Sequence, residues 1–206
     1  MRWLMGGQVY DVSTGSFRTA DIGIAHGRIA TVGSGARREH ADDTIDATGL
    51  WLLPGLIDCH VHLTLPTDAG DPAASANRSD AAITLYAAGA AARTLHAGIT
   101  TVRDVGGWNY VEMAVRDAVN SGSIPGPRMF LAGRLLSITT STVEYYPGMY
   151  EVADGVDAVR AAARRQLAKG ADLIKVMATG AMLSSETEDS RAIQFTLEEL
   201  RAAVEI

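Results

Sequence analysis

From Pro54 onward, apolar runs of strand length alternate with amphipathic helical stretches, and four such pairs can be traced before Ile206. Strands separated by helices pair in parallel, and a parallel sheet carries its crossover helices on its faces. The first strand is expected near 56–62, followed by a Gly/Pro/Ala/Ser-rich loop and a helix from about Ser79 to Ala97 that Gly98 caps. A second strand at 99–105 leads through Gly106-Gly107 into a helix near 109–120 that stops before Gly122, and a third strand is expected near 128–136. After a long loop, a helix from about Gly155 to Lys169 ends at Gly170 and delivers a fourth strand, Ala171 to Met177. Thr196-Leu197-Glu198-Glu199 reads as a capping box opening a last helix. An eight-unit barrel takes roughly 250 residues, so residues 54–206 are expected to form about half of one: an α/β architecture comprising the first four βα units.

Residues 1–53 have a different texture, short β-type runs without helical period, and are expected to form a small β domain. Asp21–Ala25 and Arg28–Val32 flank His26-Gly27, a two-residue turn suited to a hairpin, which makes His26 a turn residue rather than a ligand. With 47% hydrophobic residues the chain can bury a sizeable core, and its net charge of -6 without a basic stripe argues against nucleic acid as a partner. The start of the sequence lacks the apolar core of a signal peptide, and no run approaches the roughly 18 apolar residues of a membrane span. A soluble protein is expected, with no membrane partner. One cysteine, Cys59, excludes an internal disulfide framework and fits the cytoplasm.

Chemistry concentrates in the first strand of the second region. In Leu56-Ile57-Asp58-Cys59-His60-Val61-His62, alternation sends His60 and His62 to one face and Cys59 and Val61 to the other. Two imidazoles side by side on a strand suit zinc and similar divalent ions; two histidines on a polar strand face are the bland alternative. Lys175 interrupts the apolar run Leu173-Ile174-Lys175-Val176-Met177, where an unpaired ammonium would be costly. Carboxylation by carbon dioxide would turn it into an anionic carbamate able to bridge two metals; alternatively it reaches solvent or a carboxylate such as Asp172. Asp104, ending the second strand, faces the pocket mouth or anchors the Gly106-Gly107 turn. Tyr145 and Tyr146, in the loop 138–150, line the pocket for substrate or pack that loop onto the barrel.

Pro-Gly-Leu-Ile-Asp-x-His-x-His-Leu, from Pro54 to Leu63, resembles the strand-one signature of the amidohydrolase superfamily. Ala97 to Gly107 and Gly170 to Gly180 narrow the resemblance to the branch of imidazolonepropionase-related amidohydrolases and the Xaa-Pro or Xaa-Arg dipeptidases, the prolidase-like enzymes. The resemblance runs over nearly the whole chain. It implies a (β/α)8 TIM-type barrel, with residues 1–53 forming the amino-terminal part of a small β-sandwich assembled from both chain ends. It also implies a binuclear centre of two divalent metal ions, most fittingly zinc, with His60 and His62 on one ion and carboxylated Lys175 bridging to the second. Two histidines from strands five and six and an aspartate from strand eight complete such a centre. His96, at a helix end, and His40, in the β region, do not substitute for them. The implied reaction is hydrolysis of amide, peptide or cyclic amide bonds in a small molecule or short peptide by metal-activated hydroxide. Dipeptidase-like relatives tend to carry Gly-Gly-His in the loop after strand three, where this chain has Thr140-Ser141-Thr142, and Gly180 to Ser185 departs from their Gly-Gly-Val-Met-type run; both departures weaken transfer of dipeptidase specificity.

Two other readings stay open at this level. One is a phosphotriesterase- or deaminase-type hydrolase on the same fold, although Lys175 argues against mononuclear deaminases. The other is a catalytically inactive half-barrel that associates through open strand edges. Reading the coding frame past Ile206 separates a partial sequence from a natural half-barrel.

Overall fold

A computed structural model describes residues 1–33, 43–66, 76–181 and 188–206. His40 and the run from Met182 to Ser185 lie outside the described residues. The chain divides into two units, Met1–Pro54 and Gly55–Ile206.

The first unit is one sheet. β1 (Arg2–Asp11) pairs antiparallel with β2 (Ser16–Ala25), with Arg2 opposite Ile24 and Asp11 opposite Ser16. β3 (Arg28–Gly33) returns along β2 through His26 and Gly27, whose φ values of 51° and 71° are those of a two-residue primed turn. β4 (Asp43–Asp46) and β5 (Trp51–Leu52) both run parallel to β1. Val9, Ala20 and Ile22 form its buried cluster.

In the second unit, β6 (Leu56–Val61), β7 (Ile99–Asp104) and β8 (Arg128–Leu131) form a parallel sheet in that order, with Asp58 opposite Val102 and Thr101 opposite Arg128. α1 (Asp80–His96) joins the first two strands; the Ser79 hydroxyl caps it by accepting from the Ala82 amide, and Gly98 at φ +86° turns the chain back into β7. Ile83, Ala87 and Ala91 recur every four residues on its buried side, and the two alanines let the helix approach closely. α2 (Val111–Asn120) joins β7 to β8. It starts two residues later than the sequence pattern indicates because Asn109 and Tyr110 both take left-handed φ, 50° and 63°. Ala87, Ala91, Val102, Met113, Val115 and Leu131 form the core between these helices and the sheet.

Two strand expectations are corrected. The third strand is not continuous over 128–136: β8 ends at Leu131, and β9 (Leu135–Ser137) resumes beyond Gly133 at φ +71°. The amide of Arg134 there donates to the buried Gln166 side chain at 2.9 Å instead of to a neighbouring strand, so a helix side chain replaces the ladder. β9 instead pairs in parallel with β10 (Tyr150–Val152), which the 138–150 loop reaches through the short helix α3 (Thr142–Tyr145). The fourth strand reduces to a single parallel bridge between Leu136 and Val176. Only Leu136 N–H to Lys175 O (2.8 Å) and Met177 N–H to Leu136 O (2.9 Å) tie it to β9, too few bonds for a ladder.

α4 (Val156–Ala168) and α5 (Leu197–Val204) pack together over β9 through Val159, Ala162, Ala163, Phe195 and Ala202. The capping box at the start of α5 forms as expected, with the Glu199 carboxylate accepting from Thr196 N–H at 2.8 Å and Thr196 Oγ1 accepting from Glu199 N–H at 3.3 Å. Thr196→Ala is expected to lower unfolding free energy by about 1 kcal/mol, readable as a shifted urea midpoint at constant slope. No helix among the described residues is long and apolar enough to cross a membrane.

Candidate functional site

β6 carries His60 near its end and His62 one residue beyond it, and alternation brings both rings to one side with centroids 5.4 Å apart. The His62 ring is fixed from behind, its Nδ1 lying 2.9 Å from the carbonyl oxygen of Gly106. A carbonyl only accepts, so Nδ1 carries the proton and Nε2 keeps its lone pair. That arrangement suits an imidazole that ligates a metal. Burial lowers the His62 pKa, partly countered by the Gly106 carbonyl and reinforced by His60 and Lys175, which favours the neutral ring.

Asp104 explains why Gly106 is in place. Fully buried at the end of β7, its carboxylate accepts from Leu63 N–H at 2.9 Å and from Gly106 N–H at 3.0 Å. It thereby ties the residue after His62 to the residue that holds His62. Of the two roles open to Asp104, anchoring is the one its position serves: it does not line the pocket. Burial pushes its pKa up to about 7 despite the two amides. Behind the same turn, Glu112 is fully buried, and neither carboxylate oxygen has a partner among the described residues. Burial, with the Asp104 charge adding to it, pushes Glu112 up to about 8. A β-carbon on Gly107 would fall 1.8 Å from the Glu112 carboxyl carbon, so only glycine fits there.

Lys175 joins His60 and His62 around one pocket of about 510 Å³. Burial lowers its pKa, followed by the charge of Arg103, and both favour a neutral amine. Asp172, the alternative partner considered for Lys175, accepts instead from Leu131 N–H at 2.9 Å and faces Arg116 at 3.4 Å. Among the described residues, no three of His, Cys, Asp and Glu converge as a metal cluster. The donor set present is therefore two imidazoles and the Lys175 amine. The oriented Nε2 of His62 and the neighbouring His60 ring fit a zinc-type ion.

The loop tyrosines separate. Tyr146 lines the pocket and is buried, whereas Tyr145 is half exposed and does not line it. Tyr150, Met149, Leu135, Leu65 and Met177 also line it. For Met149 and Tyr150 the only local signal is an aromatic and apolar cluster at the end of the 138–150 loop, where neither a helical nor a strand period marks which side chains turn inward. Cys59 is exposed on the opposite strand face, away from both histidines.

Comparison with known proteins gives consistent answers. The curated ochratoxinase of Aspergillus niger is 32% identical over 183 residues, covering 75% of this chain and 36% of that protein. A crystal structure described as an amidohydrolase superposes with TM-score 0.88 at 31% identity over 99% of this chain and 52% of that one. A prolidase solved with N-methylphosphonate-L-proline superposes with TM-score 0.86 at 29% identity, covering 99% and 52%. The chain thus spans about half the length of these structures and about a third of the curated relative, and its fold is the first half of a TIM-type barrel preceded by the amino-terminal part of a β-sandwich. The model of the amidohydrolase family matches residues 51–206, and the chain belongs to that family.

Proposed function

We propose that this chain supplies the first metal ligands of a binuclear hydrolase acting on carbon–nitrogen bonds of amides, peptides or cyclic amides. The observation that carries the reading is the His62 ring held through Nδ1 on the Gly106 carbonyl while His60, His62 and Lys175 face one pocket. His60 and His62 would hold one divalent ion, most fittingly zinc, and Lys175 would bridge to a second. For that role its neutral amine adds to carbon dioxide, forming an N–C bond and releasing one proton, which yields the carbamate. Two ions held there would supply hydroxide near neutral pH and polarise the scissile carbonyl. This chain's own residues do the positioning: Asp104 fixes the strand ends, Gly106 sets the His62 tautomer, and the buried tyrosine wall excludes water. The remaining ligands and the proton-carrying aspartate would come from the half of the relatives' length that this chain does not span.

The same reading makes residues 1–53 a sandwich portion and 54–206 four βα units. An apolar hollow of about 560 Å³ on the first unit's sheet, with Ile29 and Trp51 well exposed beside it, supports a second layer packing there.

The test is a zinc titration in 13C-bicarbonate followed by NMR. The ring signals of His60 and His62 are expected to move together, a carbamate carbon is expected to appear and to vanish in Lys175→Ala, and His62→Asn is expected to weaken zinc at least about 100-fold. Zinc that leaves both rings unmoved sinks the reading.

A further inference from the structure

Beyond the two histidines and Lys175, the pocket walls have one chemical character. Leu65, Leu135, Tyr146, Met149, Tyr150 and Met177 line it, and among the described residues no arginine and no further lysine or histidine does. Leu135, Tyr146, Met149 and Tyr150 are buried and pack with Trp108 and Ile83 in one cluster, so the wall is built before any ligand arrives. A preformed wall spares a ligand the cost of ordering it.

The Tyr146 and Tyr150 rings lie 6.4 Å apart at 43°, a spacing at which aromatic rings attract, and the thioethers of Met149 and Met177 add polarisable contacts that favour an aromatic ring. The volume falls inside the range of about 300–1,000 Å³ typical of small-molecule sites. Charge points the same way. Burial and then the nearby Glu188 push the Tyr150 phenol up to about 12, so it stays neutral. Glu188 is itself held in place by hydrogen bonds from the Thr142 hydroxyl and the Gln194 side chain. A carboxylate entering beside Tyr150 would meet that negative charge.

We propose that the wall of Tyr146, Met149, Tyr150 and Met177 receives an uncharged aromatic ring, making the substrate a neutral aryl amide rather than a dipeptide with a free carboxylate. This deepens, and rests on, the reading of the site as a carbon–nitrogen hydrolase.

Acetanilide and glycyl-L-proline are the two probes, titrated into the protein and followed by NMR. Acetanilide is expected to bind at least about 10-fold more tightly, with its ring protons showing Overhauser contacts to the methyl groups of Met149 and Met177. Tyr150→Phe, which keeps the ring, is expected to retain affinity within about twofold, and Tyr150→Ala to lose about 10-fold. Since Tyr150 is a core residue, Met177→Glu provides a second variant at a half-buried position, and it is expected to abolish acetanilide binding. Absence of both methyl contacts in the unmodified protein, or glycyl-L-proline binding as tightly as acetanilide, overturns the proposal. Failure of the metal reading shows elsewhere: histidine rings indifferent to zinc, with the methyl contacts intact, would remove the hydrolase centre and support the ring site.

Discussion

On the proposed binuclear reading, Lys175→Ala is expected to lower kcat for amide hydrolysis by at least about 10³-fold, because metal activation of water and carbonyl is worth several kcal/mol and each 1.36 kcal/mol is tenfold in rate. The fold should survive. Lys175 contributes to the sheet through its backbone, accepting from Leu136 N–H, and its side chain is only half buried at the pocket wall. Lys175→Arg should be as inactive as the alanine variant, since a guanidinium stays cationic and does not add to carbon dioxide. A small carboxylate such as acetate, able to occupy the vacated space as a bridging anion, should restore part of the activity to Lys175→Ala and none to Lys175→Arg. Steady-state kinetics with and without acetate separate these outcomes. Full activity in Lys175→Ala would remove the bridging role.

The second large effect belongs to a residue that does not line the pocket. Asp104→Ala leaves the amides of Leu63 and Gly106 without their shared acceptor in a buried site. At about 1–3 kcal/mol for each stranded donor, a loss of about 3 kcal/mol is expected in urea unfolding. Zinc affinity should fall with it, because Gly106 no longer holds the His62 ring in register. Asp104→Asn keeps one acceptor oxygen and turns an N–H toward the other amide, so it should lie between the two.

Its pH dependence has a definite sign. The folded pKa of Asp104 lies near 7, above its ordinary 3.8, so the folded state binds the proton more tightly than the unfolded chain. That contribution to stability is complete below about pH 4 and is lost as pH rises through about 7. Glu112 behaves in the same direction, from its ordinary 4.5 to about 8. The stability difference between the unmodified protein and Asp104→Asn should therefore shrink from acid to neutral pH and level off above it. A difference that grows with pH would place the carboxylate in a site that favours its charge.

Much of the fold was legible because it depends on neighbours in sequence. The His26-Gly27 turn needs two residues that tolerate positive φ, the Ser79 and Thr196 caps need a hydroxyl beside a free helix end, and Gly98 needs only the absence of a side chain. The shared face of His60 and His62 follows from the pleat of a strand. Each is settled within a few residues, whatever the rest of the chain does.

Other features depend on partners far away in sequence. Gln166, on α4, takes the amide of Arg134 and so breaks the third strand, 32 residues from its own position. The fourth strand is reduced because its few bonds are scattered, Asp172 N–H going to Leu131 on β8 and only Lys175 and Met177 bonding Leu136 on β9. Tyr146 and Tyr145 are adjacent and chemically alike, yet packing against Trp108 and Met149 takes one inside and leaves the other out.

The sequence by itself determined that this is an amidohydrolase-type chain with a paired-histidine strand, since local periodicity and short motifs suffice for both. Only the tertiary structure decided that Gly106 sets the His62 tautomer, that Asp104 anchors instead of facing the pocket, and that Tyr150 and Met149 make its wall apolar. The physical reason is common to the three. A buried hydrogen bond or contact is chosen by whatever three-dimensional packing brings within reach, over separations of 44 residues for His62 and Gly106 and 41 for Leu63 and Asp104, and no local pattern carries that distance.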